Sequence, residues 1–322
     1  MVSNVMKWWM AAGLTLGLSL PVSATHTDHL TQQPAEMHAD QQTQAFTAED
    51  FNLLRVQQQR PIIALVLGSG GARGYAHVGV IERLEQAGIR PDLIVGASAG
   101  SIVGAFYASG MSAEQLHQTA LELKPSDVRD ITLDMKGFFS GQKVQDYINK
   151  KLNDRPLHQL NIPMYVVATE LKYGHKVVFD SGDTGQAVRA SISIPSMFVP
   201  PKVDGQEYVD GGLSSPVPVH VAKALGADVI IAVNILAQPE YTETNNIWSL
   251  FNQNIYIMQQ HLAAEELKYA DVVIQPDLKE KSHIFNVKGR EKTIQAGREA
   301  ANQKLADILQ VLAEKKIVNL VQ

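Results

Sequence analysis

The feature that most constrains the fold is a serine in a sharp turn between two apolar segments. The run Pro91–Val95 leads into Gly-Ala-Ser-Ala-Gly at 96–100, and the apolar run 101–107 follows. Strand, tight turn and helix around Gly-x-Ser-x-Gly are typical of a nucleophile elbow. The glycines permit the turn, and the N-terminus of the helix favours negative charge that develops near Ser98. The segment therefore predicts an α/β unit with a nucleophilic serine.

A glycine-rich loop lies upstream of this turn, between a buried strand predicted at 61–67 and a helix predicted at 75–87. Its sequence, Gly-Ser-Gly-Gly-Ala-Arg-Gly, occupies residues 68–74. Successive backbone N–H groups in such a loop form a concave site for an anion. Two anions fit this description, a nucleotide phosphate and a transient oxyanion.

The spacing of the loop excludes two common phosphate motifs. The dinucleotide fingerprint has glycines at its first, third and sixth positions, but counting from Gly68 the sixth position is Arg73. A P-loop continues with lysine after its last glycine, whereas Gly74 is followed by Tyr75. The loop therefore favours an oxyanion formed near a nucleophilic serine.

A third motif places an aspartate at the entrance of a Gly-Gly turn. Asp210 follows Tyr208-Val209 and precedes Gly211-Gly212. The nearby Asp204-Gly205 is interpreted as an ordinary turn between two short strands of a hairpin. Asp210 differs because it follows the strand, and because its glycines permit close approach to another backbone.

Together the three motifs resemble those of the patatin-like phospholipase family, in particular its bacterial and neuropathy-target-esterase-like branch. The resemblance covers residues 60–310 approximately. Further matching segments are Ala76–Val80, Ile192–Pro195, Phe198 and Ser215–Pro218. One position departs from the family, since Ser69 stands where many members have the first glycine of a Gly-Gly-Gly run. The other glycines remain, so we expect the loop to keep its anion site.

The resemblance implies a Ser–Asp dyad in a three-layer α/β/α fold with a mainly parallel central sheet. Ser98 would be the nucleophile and Asp210 the base that accepts its proton. Backbone N–H groups of Gly70, Gly71 and Ala72 would form the oxyanion hole. The supporting positions of the motifs are Gly68, Arg73, Gly74, Gly96, Gly100, Gly211 and Gly212. For Arg73, two roles stay open: fixing the loop through polar contacts, or lying on the solvated surface.

A Ser–His–Asp triad is the competing mechanism, and in hydrolase order its histidine follows the acid. His220 lies in a helix predicted at 217–225, and His283 lies in a charged stretch. His77 precedes the serine, on the helix after the glycine loop. Packing or hydrogen bonding is the favoured role for all three histidines.

Composition narrows the range of partners. Of the 322 residues, 45% are hydrophobic and 19% are charged, as in folded globular proteins. A net charge of -5 without a dense basic tract argues against a nucleic-acid partner. The chain has no cysteine, and no His/Cys/Glu cluster has metal-ligand spacing. The sequence therefore predicts no disulfide, no metal and no cofactor.

The N-terminus has the pattern of a signal peptide. Lys7 precedes an apolar run at 8–20, and Val22-x-Ala24 offers small residues for cleavage. We expect residues 1–24 to direct export to a bacterial periplasm or the exterior, with an uncleaved membrane anchor as the alternative. Residues 25–59 are polar and predict a flexible linker with a short helix near 48–54. The patatin-like domain is assigned to 60–314 and a C-terminal tail to 315–322.

Strands and helices alternate through the assigned domain, which is typical of a three-layer α/β fold. Strands are predicted at 61–67, 92–96, 163–169, 176–179, 228–234 and 272–274. Helices are predicted at 75–87, 99–109, 112–121, 142–152, 184–191, 217–225, 247–270 and 289–314.

Two apolar segments are candidates for lipid contact. Phe138 and Phe139 lie between glycines in 135–141, and an apolar stripe runs along the helical pattern at 247–262. Core packing is the favoured interpretation of both. The alternative is that they line an acyl pocket or touch a membrane surface.

The sequence thus predicts a serine acyl hydrolase whose substrate is a lipid ester, such as a phospholipid or lysophospholipid. Three alternatives stay open. The chain could hydrolyse soluble esters or thioesters by the same mechanism, transfer the acyl group to an alcohol, or serve as a non-catalytic lipid-binding or scaffold protein.

Overall fold

The computed structural model describes residues 45–242, 244–278 and 289–319. The predicted signal peptide 1–24, linker residues 25–44 and His283 lie outside the described residues.

A central sheet of eight strands organises the domain. Its order is β5-β6-β3-β2-β1-β7-β8, and β4 pairs with β3 outside this path. The strands are β1 (Ile63–Leu67), β2 (Leu93–Ala97), β3 (Met164–Glu170), β4 (Lys176–Phe179), β5 (Lys202–Val203), β6 (Gln206–Val209), β7 (Val229–Val233) and β8 (Val272–Ile274). The five strands from β3 to β8 along this order are parallel, and β4, β5 and β6 add antiparallel pairs.

Helices cover both faces of the sheet, which confirms the predicted α/β fold class. They are α1 (Ala48–Gln58), α2 (Tyr75–Gln86), α3 (Ala99–Ala108), α4 (Ala113–Glu122), α5 (Pro125–Val128), α6 (Gln142–Leu152), α7 (Thr184–Ser191), α8 (Val219–Ala224), α9 (Ile247–Leu267) and α10 (Arg290–Asn319). Within the described parts of the chain, no helix is long and apolar enough to cross a membrane.

The apolar run of β1 shows how the sequence divides between two cores. All five residues of β1 are buried. Ile63, Leu65 and Leu67 pack into the core on one face, whereas Ala64 and Val66 pack into the core on the other face. Because side chains alternate along a strand, a continuous apolar run is what a strand covered on both faces requires.

Helix α1 is longer than the short helix predicted at 48–54, and it packs on the domain. Thr47 and Asp50 form a capping box at its start. Phe51 is fully buried, and Arg55 Nε donates to Asp228 Oδ2 at 2.7 Å. The flexible linker predicted for 25–59 therefore does not extend through α1. At the other end, the tail predicted from residue 315 continues α10 as far as Asn319.

Candidate active site

Ser98 occupies the sharp turn between β2 and α3. Its backbone has φ 51° and ψ −120°, a region that non-glycine residues rarely adopt and that stores strain. A Cβ on Gly100 would lie 2.0 Å from the Leu67 carbonyl oxygen, and one on Gly96 would lie 2.7 Å from the Gly100 oxygen. Both glycines are therefore required by close packing between the turn, the start of α3 and the end of β1.

Asp210 contacts Ser98, although the two residues are far apart in the sequence. Ser98 Oγ donates a hydrogen bond to Asp210 Oδ2 at 2.6 Å. The other carboxylate oxygen, Oδ1, accepts from the Gly212 backbone N–H at 2.7 Å. A Cβ on Gly211 would lie 2.1 Å from the Val167 oxygen, so only glycine lets this turn reach β3. The geometry brings together the two residues that the sequence paired.

Burial sets the electrostatics of this pair. Ser98 is 5% exposed and Asp210 is 4% exposed. Burial raises the pKa of Asp210 to about 6, against the opposing effect of hydrogen bonds from Ser98 and the Gly212 N–H. An aspartate whose pKa lies close to neutral can both take up and return a proton under physiological conditions.

A second serine supports the turn, and sequence reasoning missed it. Ser98 N–H donates to Ser191 Oγ at 2.8 Å, and Ser191 Oγ donates to the Val167 oxygen at 2.6 Å. Ser191 thereby connects the Ser98 backbone to β3. It is the last residue of α7, and no local motif distinguishes it from other serines in the chain.

The glycine loop lies beside Ser98 and is anchored at its start. Gly68 N–H donates to the Val233 oxygen at 3.1 Å, and Ser69 N–H donates to the Pro216 oxygen at 2.8 Å. The departure at Ser69 therefore leaves the loop attached to its neighbours. Later in the loop, Gly74 approaches Ala99, since a Cβ on Gly74 would lie 2.8 Å from the Ala99 Cβ.

Arg73 fixes the loop from inside the protein. Its side chain is buried, and its Nε donates to the Ile235 oxygen at 2.8 Å. The guanidinium carbon lies 5.6 Å from the ring centroid of Tyr256. Burial lowers the pKa of this guanidinium from its usual value. Of the two roles left open for Arg73, the solvated surface position is wrong, because the side chain is buried and hydrogen-bonded to the Ile235 backbone.

The histidines do not contact the nucleophile in the described structure. His77 is fully buried, and burial lowers its pKa to about 4, so the ring is neutral at pH 7. Its Nε2 therefore donates to the Gly68 oxygen, at 2.9 Å, and helps to orient the loop. His220 is exposed, with its ring centroid 4.8 Å from that of Tyr269. No histidine among the described residues lines either cavity that contains Ser98.

Two cavities of different character meet at Ser98. The larger, of about 220 Å³, is mainly apolar, and Gly71 and Ala72 lie in its wall beside Ser98. Its deeper wall is formed by apolar side chains, among them Ile102, Phe106, Leu116, Ile148 and Phe198.

The smaller cavity, of about 50 Å³, is more polar. Gly70, Arg73 and Asp210 line it together with Asn252, Tyr256 and Gln259 of α9. Ser98 thus separates an apolar chamber from a small polar cleft. Over the parts of the chain that are described, no group of three His, Asp or Glu residues could hold a metal ion.

The two apolar segments, 135–141 and 247–262, are largely exposed, so core packing is the wrong interpretation for most of their apolar side chains. Phe138 is exposed, as are Ile247, Leu250 and Met258 of α9. Phe139 is half-buried, with its ring 5.7 Å from that of Phe198, and Ile255 is half-buried beside the polar cleft. The hydropathy pattern identified the helix correctly but did not show which face packs inward.

The fold and the turn at Ser98 place this chain among α/β proteins with a serine in a sharp turn between a strand and a helix. The family model for patatin-like phospholipase matches residues 65–223, a range that contains the glycine loop, Ser98 and Asp210. Residues 65–223 therefore form a patatin-like phospholipase domain, and the resemblance seen in the sequence is confirmed.

Individual relatives match over the same part of the chain. An uncharacterised NTE family protein of Mycobacterium tuberculosis (strain ATCC 25618 / H37Rv) is 38% identical over 185 residues, 56% of this chain and 51% of that protein. Patatin-like phospholipase domain-containing protein 6 of Homo sapiens is 35% identical over 200 residues, 59% of this chain and 14% of that protein. The chain thus spans about half the length of the mycobacterial relative. The crystal structure of VipD from Legionella pneumophila aligns with TM-score 0.45 and 15% identity, over 78% of this chain and 67% of that chain.

Proposed function

We propose that this protein is a serine acyl hydrolase that cleaves fatty-acyl esters of lipids with a Ser98–Asp210 dyad. The observation that carries the proposal is the 2.6 Å hydrogen bond from Ser98 Oγ to Asp210 Oδ2 in the wall of an apolar cavity. Family membership supports the reaction class, since relatives bear the name patatin-like phospholipase.

In the proposed mechanism, Ser98 Oγ attacks the ester carbonyl while Asp210 accepts its proton. The tetrahedral intermediate collapses, the C–O bond to the alcohol breaks, and Asp210 returns the proton to the departing oxygen. Water then attacks the acyl-enzyme, Asp210 takes its proton, and the fatty acid leaves as Ser98 is reprotonated.

The oxyanion hole is proposed at the backbone N–H groups of Gly70, Gly71 and Ala72. These residues lie in the walls of the two cavities that meet at Ser98. A short 3-10 turn begins at Gly71, and the first N–H groups of a helical turn have no acceptor within it. Such preorganised donors stabilise a developing oxyanion by about 3–4 kcal/mol each.

The two cavities support a lipid ester as the substrate. The larger cavity offers the apolar wall that an acyl chain needs, and the polar cleft beside Asp210 and Arg73 would take the alcohol part. A small soluble ester would leave most of the apolar wall without a partner. Transfer to an alcohol differs from hydrolysis only in the second nucleophile, so it uses the same dyad.

We propose further that the enzyme works at a membrane surface after export. The signal-peptide pattern at 1–24 supports export to the periplasm or the exterior. The exposed apolar side chains of Phe138 and α9 support membrane contact.

Fatty-acid release from phospholipid vesicles tests the proposed function. Ser98→Ala and Asp210→Asn should each lower the rate at least about a thousandfold, because each removes one half of the dyad. Matched controls are Ser181→Ala and Asp204→Asn, which make the same chemical changes away from the site and should keep the parental rate. Parental rates in folded Ser98→Ala protein, or no hydrolysis by the folded parent, would contradict the proposal.

A further inference from the structure

The N-terminal part of helix α9 departs from the usual polarity of a surface helix. Surface helices normally turn their apolar side chains to the core and their polar side chains to water. In α9 the polar side chains of Asn252, Tyr256 and Gln259 face the catalytic cleft, and Gln259 Nε2 donates to the Gly212 oxygen at 3.2 Å. The outer face carries Ile247, which is 89% exposed, and Leu250, 52% exposed.

The same helix lacks charged side chains over most of its length. Residues 247–264 contain no Asp, Glu, Lys or Arg, although much of this stretch is exposed. A helix face that meets only water usually carries charges. An exposed helix face that is apolar and uncharged fits a helix that lies on a lipid surface.

A second apolar surface lies on the loop that precedes α6. Leu133 and Met135 are 99% exposed, and Ile131 is also exposed. The base of the loop is closed by the bridge from Ile131 to Phe139 and by a hydrogen bond from the Thr132 N–H to the Phe138 oxygen, at 3.0 Å. The loop thus holds its apolar side chains outward instead of folding over them.

Both surfaces belong to elements that meet the segment Ile194–Phe198 or share a cavity wall with it. Phe138 N–H donates to the Met197 oxygen at 3.0 Å, so the loop is attached to this segment. Ile194 lines both cavities, and Ile255 of α9 lines the polar cleft with it. The elements that carry the exposed apolar side chains are therefore each connected to residues that line the cavities at Ser98.

We propose that these two surfaces form an apolar rim that docks the enzyme on a neutral lipid surface and delivers acyl chains to the larger cavity. The apolar rim is defined by Leu133, Met135, Ile247 and Leu250. This inference rests on the proposed function, because it supplies that reaction with its lipid. A neutral surface fits because the exposed helix face has no charge to pair with anionic lipid.

Vesicle binding tests the rim with variants that carry Ser98→Ala, so that lipid is not consumed. One variant carries Leu133→Gln and Met135→Gln, and the other carries Ile247→Gln and Leu250→Gln. The matched control carries Leu53→Gln and Val56→Gln, which replace exposed apolar residues of α1. Helix α1 contacts Asp228 just before β7, at the amino end of the parallel strands. Ser98 follows the carboxyl end of β2, so the control residues lie on a helix at the opposite end of these strands.

We expect the parent and the control to sediment with phosphatidylcholine vesicles to the same extent. Each rim variant should lower the partition coefficient at least about tenfold, because water-exposed glutamine replaces two side chains that lipid would bury. Added salt should change binding little, because residues 247–264 contain no Asp, Glu, Lys or Arg and the exposed Asp134 and Lys136 of the loop have opposite charges. With Ser98 present, both rim variants should hydrolyse a short soluble ester at a rate within about twofold of the parent.

Vesicle binding by both rim variants at the parental level would overturn the docking surface. So would a dimer of the parent in sedimentation velocity that both rim variants abolish, since a second copy would then cover the rim. If the parent binds vesicles through the rim yet hydrolyses no ester, the proposed function fails while the docking surface stands.

Discussion

At the scale of single residues, the charge of the site depends on whether Asp210 is protonated. Asp210 is buried with Ser98, and burial raises its pKa to about 6. The folded protein therefore holds the Asp210 proton more tightly than the unfolded chain does. The stability that protonation contributes is present at low pH and is lost as the pH rises from the ordinary aspartate value through about 6. The same ionisation creates the carboxylate that the mechanism needs as a base.

The pH dependence of hydrolysis follows from this ionisation. We expect kcat/KM for a short ester to rise with pH and to level off above a midpoint near 6, because only the carboxylate accepts the Ser98 proton. Steady-state rates, with circular dichroism at each pH to confirm folding, measure this. A midpoint at the ordinary aspartate pKa near 4 would show that burial does not control the base.

Ser191 gives a second test at this scale. Ser191→Ala removes the acceptor of the Ser98 N–H, so we expect a stability loss of about 1–3 kcal/mol and a lower kcat. Ser109→Ala is the control, since the Ser109 Oγ also donates to a backbone oxygen, that of Phe106, at the end of α3 away from Asp210. Denaturant unfolding and ester kinetics on both variants separate the effects. Equal kcat values for the two variants would show that Ser191 does not position Ser98 for the reaction.

At the scale of elements, close helix packing holds one face of the sheet together. Helices α2 and α10 approach through two glycines. A Cβ on Gly79 would lie 1.9 Å from the Ile294 oxygen, and one on Gly297 would lie 2.0 Å from the Ala76 oxygen. The backbones therefore meet where ordinary side chains would hold the helices apart.

Alanine at these glycines tests the contact. Gly79→Ala and Gly297→Ala should each lower the free energy of unfolding by about 1–3 kcal/mol, because the added methyl forces the helices apart. The direction is informative, since alanine is intrinsically the better helix former by about 1 kcal/mol. Gln303→Ala on the exposed face of α10 should change stability by no more than about 0.5 kcal/mol. Stabilisation by either glycine replacement would contradict the close packing.

Particular elements show how far the sequence could predict the structure. Strand β1 and the Ser98 turn were predictable because a buried strand and a tight turn each leave a local pattern. The outward face of α9 was not, because its polar face lines a cleft formed by residues distant in the chain. Ser191 was missed for the same reason, because its partners Ser98 and Val167 are distant from it in the sequence. Local patterns determine the elements, whereas the side from which a partner approaches depends on the whole fold.

At the scale of the whole molecule, the folded domain begins before the glycine loop and β1. Helix α1 inserts Phe51 into the core that faces Ala64 and Val66, and Arg55 pairs with Asp228 ahead of β7. These contacts join the start of the domain to the amino end of the parallel strands, whereas Ser98 follows the carboxyl end of β2. The helix therefore contributes to stability without touching the site.

Replacing Phe51 tests where the domain begins. Phe51→Ala should lower the free energy of unfolding by about 3–5 kcal/mol, because it empties a fully buried position. Leu53→Ala, on the exposed side of the same helix, should have little effect. Denaturant unfolding of both variants measures the difference, and equal stabilities would place α1 outside the cooperative unit.

The measurement that tests the central claim most directly is the mass of the chain lacking residues 1–24 after incubation with a fluorophosphonate. The account predicts a single adduct on the parent and none on Ser98→Ala, with ester hydrolysis lost in both Ser98→Ala and Asp210→Asn. A fluorophosphonate reports an activated serine, and the 2.6 Å contact with Asp210 is what activates Ser98 in this account. No adduct on the folded parent, or an adduct that persists in folded Ser98→Ala protein, would contradict the account.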